Sequence, residues 1–277
     1  MKVVILCGGM GTRLREYTES IPKPMVRVGG VPIVVHIMQM YAAAGMTDFV
    51  LCLGYMGSVI REYFLNYEAN NRDFTVELGK PGAIEYHGVS ADGPSWKVTL
   101  VETGQSTMTA GRLARASKYL SEGETFALTY GDGVADVPLK DVLAFHKKHG
   151  RKATLTGVRP PSRFGEIDHK AGVVQSFNEK PQVGSGLING GFFFFEHDFL
   201  RYLGADPTSV MLEHKPLEQC VHEQQLEVYE HGGFWQCMDT YRDWERLEQL
   251  FKEGHAPWLG DNHVQPGMFP LRRGVAD

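Results

Sequence analysis

Cysteine is scarce in this chain. Its 277 residues hold four, Cys7, Cys52, Cys220 and Cys237, scattered without any metal-binding spacing. Cys7 and Cys52 fall inside apolar, strand-like runs, where a cysteine serves as a small buried hydrophobe. That usage fits a reducing compartment, and a cytoplasmic location is expected. Long apolar stretches are missing as well. None approaches the roughly twenty residues of a membrane-spanning helix, and the short first apolar segment lacks the layout of a secretory leader. Positive charge is not in excess: the net charge is −5, which leaves no basic footprint for a nucleic acid. No internal repeat and no low-complexity segment interrupts the chain.

Two familiar phosphate-binding patterns are also absent. The dinucleotide fingerprint requires a third glycine where Leu14 stands, and an acid closing the second strand. The P-loop requires Gly-Lys-Ser/Thr after four spacer residues. What stands instead is Gly8-Gly9-Met10-Gly11-Thr12-Arg13-Leu14, followed closely by Pro22-Lys23-Pro24. This loop comes directly after the apolar run Lys2-Val3-Val4-Ile5-Leu6-Cys7, which reads as a buried first strand. Glycines let backbone approach a ligand and leave N–H groups unobstructed, and a strand ending in such a loop suits phosphates. Arg13 and Lys23 add two positive charges, the partners a triphosphate needs. The bland alternative is a glycine-rich turn with surface charges.

With 43% hydrophobic residues, the chain can bury a full core as one large domain, or one domain with a lobe. Strand and helix signals alternate, which predicts an α/β fold with a mainly parallel sheet. Strands are expected at 48–53, 97–102, 125–130, 152–158 and 226–230. Helices are expected at 32–44, 58–64, 110–120, 139–149, 212–223 and 241–252. The stretch 79–95 reads as a loop with short edge strands. The region 164–195 looks hairpin-rich, a smaller β-rich part. Past His255, Pro, Gly and Trp break any period, and the tail reads as a surface extension.

Asp132 sits in Tyr130-Gly131-Asp132-Gly133, just past a buried strand. Parallel sheets bind ligands outside the carboxyl ends of their strands, and an acid between two glycines there can reach a metal. The alternative is an ordinary Asp-Gly turn. Asp239, in Trp235-Gln236-Cys237-Met238-Asp239-Thr240, is the plausible second carboxylate; from position alone it reads as a helix N-cap. Glu179-Lys180-Pro181 offers a carboxylate for sugar hydroxyls and an ammonium for a sugar phosphate. Asn189-Gly190-Gly191 adds an amide beside free backbone. The segment from Thr103 to Arg112 opens a helix with hydroxyls and an arginine, groups able to bond a pyrimidine edge; alone it reads rather as a capped helix start with a surface arginine.

The glycine loop with its Thr-Arg and Pro-Lys-Pro companions resembles the signature of the sugar nucleotidyltransferases. The resemblance runs from Met1 to about Trp258. It is closest to the branch that joins CTP to α-D-glucose 1-phosphate, through Pro32 to Tyr41, Gly54-Tyr55-Met56-Gly57, Val59 to Phe64, Val98 to Gly104, Tyr130 to Asp136 and Phe234 to Thr240. It implies a Rossmann-like three-layer fold with a smaller β-rich sugar-binding and oligomerisation region. It implies one domain over 1–258 and a C-terminal extension over 259–277. Leu6, Gly8, Gly9, Gly11, Thr12, Arg13 and Lys23 would hold the triphosphate, and Thr107, Arg112 and Gly131 the nucleoside. Glu179, Lys180 and Asn189 would hold the sugar phosphate. Asp132 and Asp239 would be Mg2+ ligands, with Arg13, Lys23 and the two aspartates carrying catalysis. The expected product is CDP-glucose, with dTTP, UTP or another sugar 1-phosphate as alternatives and a non-catalytic sugar-nucleotide sensor as the rival from another class. No nucleic-acid or membrane partner is expected; a homo-oligomer, a hexamer by the resemblance, is. Two departures stand out: Ala110 replaces the branch's usual glycine, and the tail beyond Trp258 has no counterpart.

Overall fold

Apolar runs that can be buried on both faces build the centre of this fold. In a computed structural model, which describes residues 1–11, 14, 20–80, 82–87, 95–159, 166–170, 173–178 and 186–260, with only the backbone at 166–170 and 173–178, eight strands form one mixed sheet. They are β1 (Lys2–Leu6), β2 (Asp48–Leu53), β3 (Lys97–Glu102), β4 (Phe126–Tyr130), β5 (Ala153–Val158), β6 (Ile188–Asn189), β7 (Phe193–Phe195) and β8 (Leu226–His231). Strands β3, β2, β1 and β4 lie side by side and parallel. Strand β7 runs antiparallel to both β4 and β5, and β8 pairs in parallel with β5 on its other edge. The centre is therefore parallel, as the alternation of signals predicts, but periodicity cannot report direction, and β7 reverses it.

Strands β6 and β7 are one strand with a break. Gly191 (φ 80°) and Phe192 (φ 49°) turn the backbone left-handed between them. Gly190 N–H donates to Thr156 O at 2.9 Å, and Thr156 N–H to Gly191 O at 3.2 Å, so the interruption stays fastened to β5 as a bulge. Phe192 nonetheless is buried and stacks against Tyr41.

Helices cover both faces. On one, Ile33, Ile37 and Tyr41 of α1 (Ile33–Ala43) pack on Val3, Ile5 and Cys7. On the other, Ala110 and Leu113 of α2 (Thr109–Ala116) meet Val4, Leu6, Phe193 and Phe195. The alternation of Val3 and Ile5 against Val4 and Leu6 is the period-two reading of a strand sandwiched between two layers. Each of these fully buried aliphatic side chains stabilises the fold by roughly 2 kcal/mol.

Elements expected at 48–53, 97–102, 139–149 and 241–252 stand with those bounds. The helix expected from Leu212 begins at Lys215, because Pro216 favours the first turn. The helix expected to reach Leu120 ends at Ala116 and gives way to a 3-10 turn at Ser117–Tyr119. Hairpins occur where the sequence is hairpin-rich, at Glu166–Lys170 with Val173–Asn178, and also at Phe74–Val76 with Ile84–Tyr86. Trp258 is buried in the core and its indole N–H donates to His36 Nδ1 at 3.3 Å. The tail reading at 261–277 lies outside the described residues.

Candidate active site

The switch in strand order lies beside β1. The chain passes from β1 to β2 on one side and later adds β4 on the other, which opens a crevice at the carboxyl ends of β1 and β4. The glycine loop leaves β1 there and Asp132 leaves β4. Gly131 N–H donates to Leu6 O at 3.1 Å, Cys7 N–H to Cys52 O at 2.9 Å and Tyr55 N–H to Gly8 O at 3.2 Å, so three strand ends are tied together. The result is a cleft of about 380 Å³. Leu6, Gly8, Gly9 and Gly11, Lys23, Thr107 and Arg112, Gly131 and Asp132, and Asp239 all line it. Thr12, Arg13, Glu179 and Lys180 lie outside the described residues.

The glycines of the loop have different reasons. A Cβ on Gly8 would stand 1.9 Å from Arg112 Nη1, and one on Gly54 2.4 Å from the same atom. The two glycines are thus the walls of a slot for a guanidinium. A Cβ on Gly9 would meet nothing within 4 Å among the described residues. Gly11 has φ 61°, a left-handed turn that favours glycine.

Arg112 is buried, so the reading of a surface arginine is corrected. Its Nη1 donates to Leu53 O (3.0 Å), Thr103 Oγ1 (2.8 Å) and Gly104 O (3.0 Å). Its Nη2 donates to Gly8 O (2.8 Å) and Gln105 O (3.3 Å). The side chain joins the loop after β1 to the segment before α2. Thr107 Oγ1 accepts from Arg115 at 2.9 Å beside it.

Lys23 opens a short 3-10 turn, with its side chain 9% exposed. Its Nζ donates to Asp132 Oδ2 and to Asp239 Oδ1, both at 2.6 Å. Burial opposes the ammonium, but Asp132, Cys237 and Asp239 together outweigh it and hold Lys23 above the ordinary lysine range. Ligand atoms of Asp132, Cys237 and Asp239 all lie within 4.8 Å of one another. Two carboxylates converging on one cation are a hard-oxygen donor pair, the set that suits Mg2+. Cys237 does not fit that ion: its sulfur is soft, and burial, with Asp132 next, pushes the thiol far up.

A short ribbon fixes the separation of the carboxylates. Strand Gly133–Ala135 pairs antiparallel with Trp235–Cys237, Cys237 opposite Gly133. Met238 N–H donates to Asp132 O at 2.8 Å. At the far end Asp136 N–H donates to Phe234 O at 3.1 Å, and the Asp136 carboxylate meets His231 Nε2 at 2.7 Å. Asp239 is not the N-cap that position suggests. Thr240 caps α3 (Tyr241–Lys252) in a reciprocal box with Asp243, and Asp239 N–H also donates to Asp243. The Asp239 carboxylate accepts from Lys23.

One cluster beside the cleft was not foreseen. Glu213 accepts from Tyr130 OH through one oxygen and from Thr109 Oγ1, at 2.8 Å, through the other. Asn189 Nδ2 donates to Tyr130 OH at 3.2 Å, and Asn189 Oδ1 accepts from Gly191 N–H at 2.9 Å. Asn189 therefore reaches the cleft through Tyr130. Glu213 carries no local sequence signal; only the packing of its loop against α2 brings it there.

Residues 2–244 match the sequence profile of the family described as nucleotidyl transferase. The chain is 48% identical over 258 residues to glucose-1-phosphate cytidylyltransferase of Salmonella typhimurium, covering 93% of this chain and 98% of that protein. It is 41% identical over 258 residues to the probable glucose-1-phosphate cytidylyltransferase of Bacillus subtilis, covering 93% and 99%. Among solved structures, the UDP-glucose pyrophosphorylase from Acinetobacter baumanii superimposes with a TM-score of 0.67 at 18% identity, covering 93% of this chain and 95% of that one. That likeness concerns the fold.

Proposed function

This chain belongs to the nucleotidyl transferase family, and on that premise we propose that it is a glucose-1-phosphate cytidylyltransferase, which joins CTP and α-D-glucose 1-phosphate into CDP-glucose and releases pyrophosphate. The observation that carries the reading is the meeting of Lys23, Asp132 and Asp239 at the mouth of the glycine loop.

The chemistry asks little of the protein beyond position and charge. A sugar phosphate is already ionised near neutral pH, so its oxygen attacks the α-phosphorus of CTP in line without a protein nucleophile. The loop from Gly8 to Gly11 receives the triphosphate, and Lys23, with Arg13, answers the charge that moves onto pyrophosphate. Asp132 and Asp239 would hold the metal, for which Mg2+ is the ion proposed, and it would supply positive charge to the leaving pyrophosphate. Thr107, Arg112 and Gly131 take the nucleoside side of the cleft, and Glu179, Lys180 and Asn189 the sugar phosphate. Tyr130, held by Glu213, carries Asn189 at the edge of the cleft. A homo-oligomer belongs to the same reading. It is supported by the ribbon Phe74–Val76 with Ile84–Tyr86, which exposes Phe74, Val76 and Ile84 although two strands alone are marginal in water.

The test is direct. The purified protein is incubated with Mg2+, glucose 1-phosphate and each nucleoside triphosphate in turn, and the sugar nucleotide is read by mass spectrometry. CDP-glucose with pyrophosphate is the expected product. Preferential use of UTP or dTTP overturns the base assignment, and no product with any triphosphate leaves a binding module.

A further inference from the structure

In the described structure Lys23 Nζ occupies the point on which both carboxylates converge, 2.6 Å from each. The ammonium side chain is 9% exposed, while Asp132 and Asp239 are 25% and 21% exposed. A buried ammonium shared by two carboxylates offsets one of their two negative charges and draws both oxygens to one point. A divalent cation bound to the same two oxygens would stand against that ammonium with little water between them, and two positive charges so close repel strongly. Lys23 and a metal therefore cannot both hold the pair as it is. The cleft offers Lys23 another place, because Gly8, Gly9 and Gly11 line the same cavity and a Cβ on Gly9 would meet nothing within 4 Å among the described residues.

We infer that Lys23 is the site's internal counter-ion: it holds Asp132 and Asp239 together when no metal is bound, competes with the metal for them, and on exchange is freed toward the phosphates. The inference rests on the proposed assignment of the two aspartates as metal ligands. It gives Lys23 a role distinct from contact with the triphosphate alone. Free metal should bind weakly, because it must displace a paired charge. Metal arriving with a polyphosphate should bind well, because the phosphates receive the displaced ammonium. The two ligands then favour each other through one side chain, a coupling of the kind that reaches five- to a hundredfold, roughly, in affinity.

The experiment measures Mn2+ binding to the nucleotide-free protein by calorimetry and by the loss of its free-ion electron paramagnetic resonance signal. Lys23→Met, of similar length and no charge, should bind Mn2+ about tenfold more tightly than the unaltered protein. Its thermal midpoint should fall without metal, where two carboxylates face each other without the Lys23 ammonium, and recover with Mn2+ by more than the unaltered protein gains. Lys23→Gln, neutral but still a donor, is the second variant and should change in the same direction. Unchanged or weaker Mn2+ affinity in a folded Lys23 variant overturns the inference. Asp132→Asn and Asp239→Asn separate the two levels of the argument. If neither weakens Mn2+ binding, the ligand assignment itself fails; if both do while the Lys23 variants do not strengthen it, only the exchange fails.

Discussion

An aspartate and its amide differ in charge far more than in size, and this makes Asp132 the sharpest single residue to test. Asp132→Asn should keep the fold, since the ribbon pairs backbone to backbone. It should lose turnover by on the order of a hundredfold or more. Near-normal magnesium-dependent turnover in a folded variant would falsify the ligand role. The glycine loop gives a matched pair at the same scale. Gly8→Ala drives a Cβ into the Arg112 guanidinium and breaks a buried set of charge-assisted bonds. It should destabilise the protein by roughly 3 kcal/mol, read as a shift in the urea midpoint. Gly9→Ala meets nothing within 4 Å among the described residues; its midpoint should stay within about 0.5 kcal/mol of the parent, while the KM for CTP rises. The glycine pattern was legible in the chain, but the reason for Gly8 was not. Its partner stands 104 residues away, and nothing local at Arg112 marks it as buried.

At the scale of elements, the ribbon Gly133–Ala135 with Trp235–Cys237 decides how far apart the two aspartates sit, and the Asp136–His231 contact closes its open end. His231→Ala should leave the sheet intact and loosen the ribbon. Mn2+ affinity should fall by roughly fivefold, with far-ultraviolet circular dichroism unchanged; unaltered affinity would show that the ribbon sets the separation without help. The contrast with the main sheet explains what a sequence can reveal. Val3 to Leu6 and Phe49 to Leu53 are buried from both faces, so each is a continuous apolar run that announces a strand by itself. The ribbon strands are three residues long, and their pairing joins segments far apart in the chain. No period can develop over such a length, and the pairing partner is invisible locally. The same holds for Glu213, placed by the loop before Lys215–His222. The reversed direction of β7 was hidden for another reason: an apolar run reads the same in either orientation.

For the whole molecule, His36 and Trp258 link the segment after the helix Tyr241–Lys252 to the core. His36 Nε2 meets Val28 O at 2.9 Å while Nδ1 accepts from Trp258. A neutral ring with its proton on Nε2 satisfies both contacts, and a protonated ring would turn a second donor against the indole N–H. Burial accordingly lowers the His36 pKa from 6.5 to about 4, and burial lowers that of His146, close to Glu196, from 6.5 to about 4. A depressed folded-state value means that the unfolded chain takes up protons first. Stability from these groups is fully present above pH 6.5, is lost as pH falls from about 6.5 to 4, and changes no further below that. Urea midpoints across that window should fall by a few kcal/mol, and His36→Gln should flatten the slope, whereas an unchanged slope would acquit His36. Lys23 poses the corresponding question for cooperativity. Its ammonium stitches together segments 109 and 216 residues apart at the rim of the sheet, not at its centre. Contacts of such long range at the open rim of a cleft belong to the part of a protein that opens below the free energy of global unfolding. Rising urea should therefore silence CDP-glucose synthesis at a lower concentration than it melts the helices. The catalytic apparatus would then be a seam that parts first, because Lys23 joins stretches of chain that no local structure holds together.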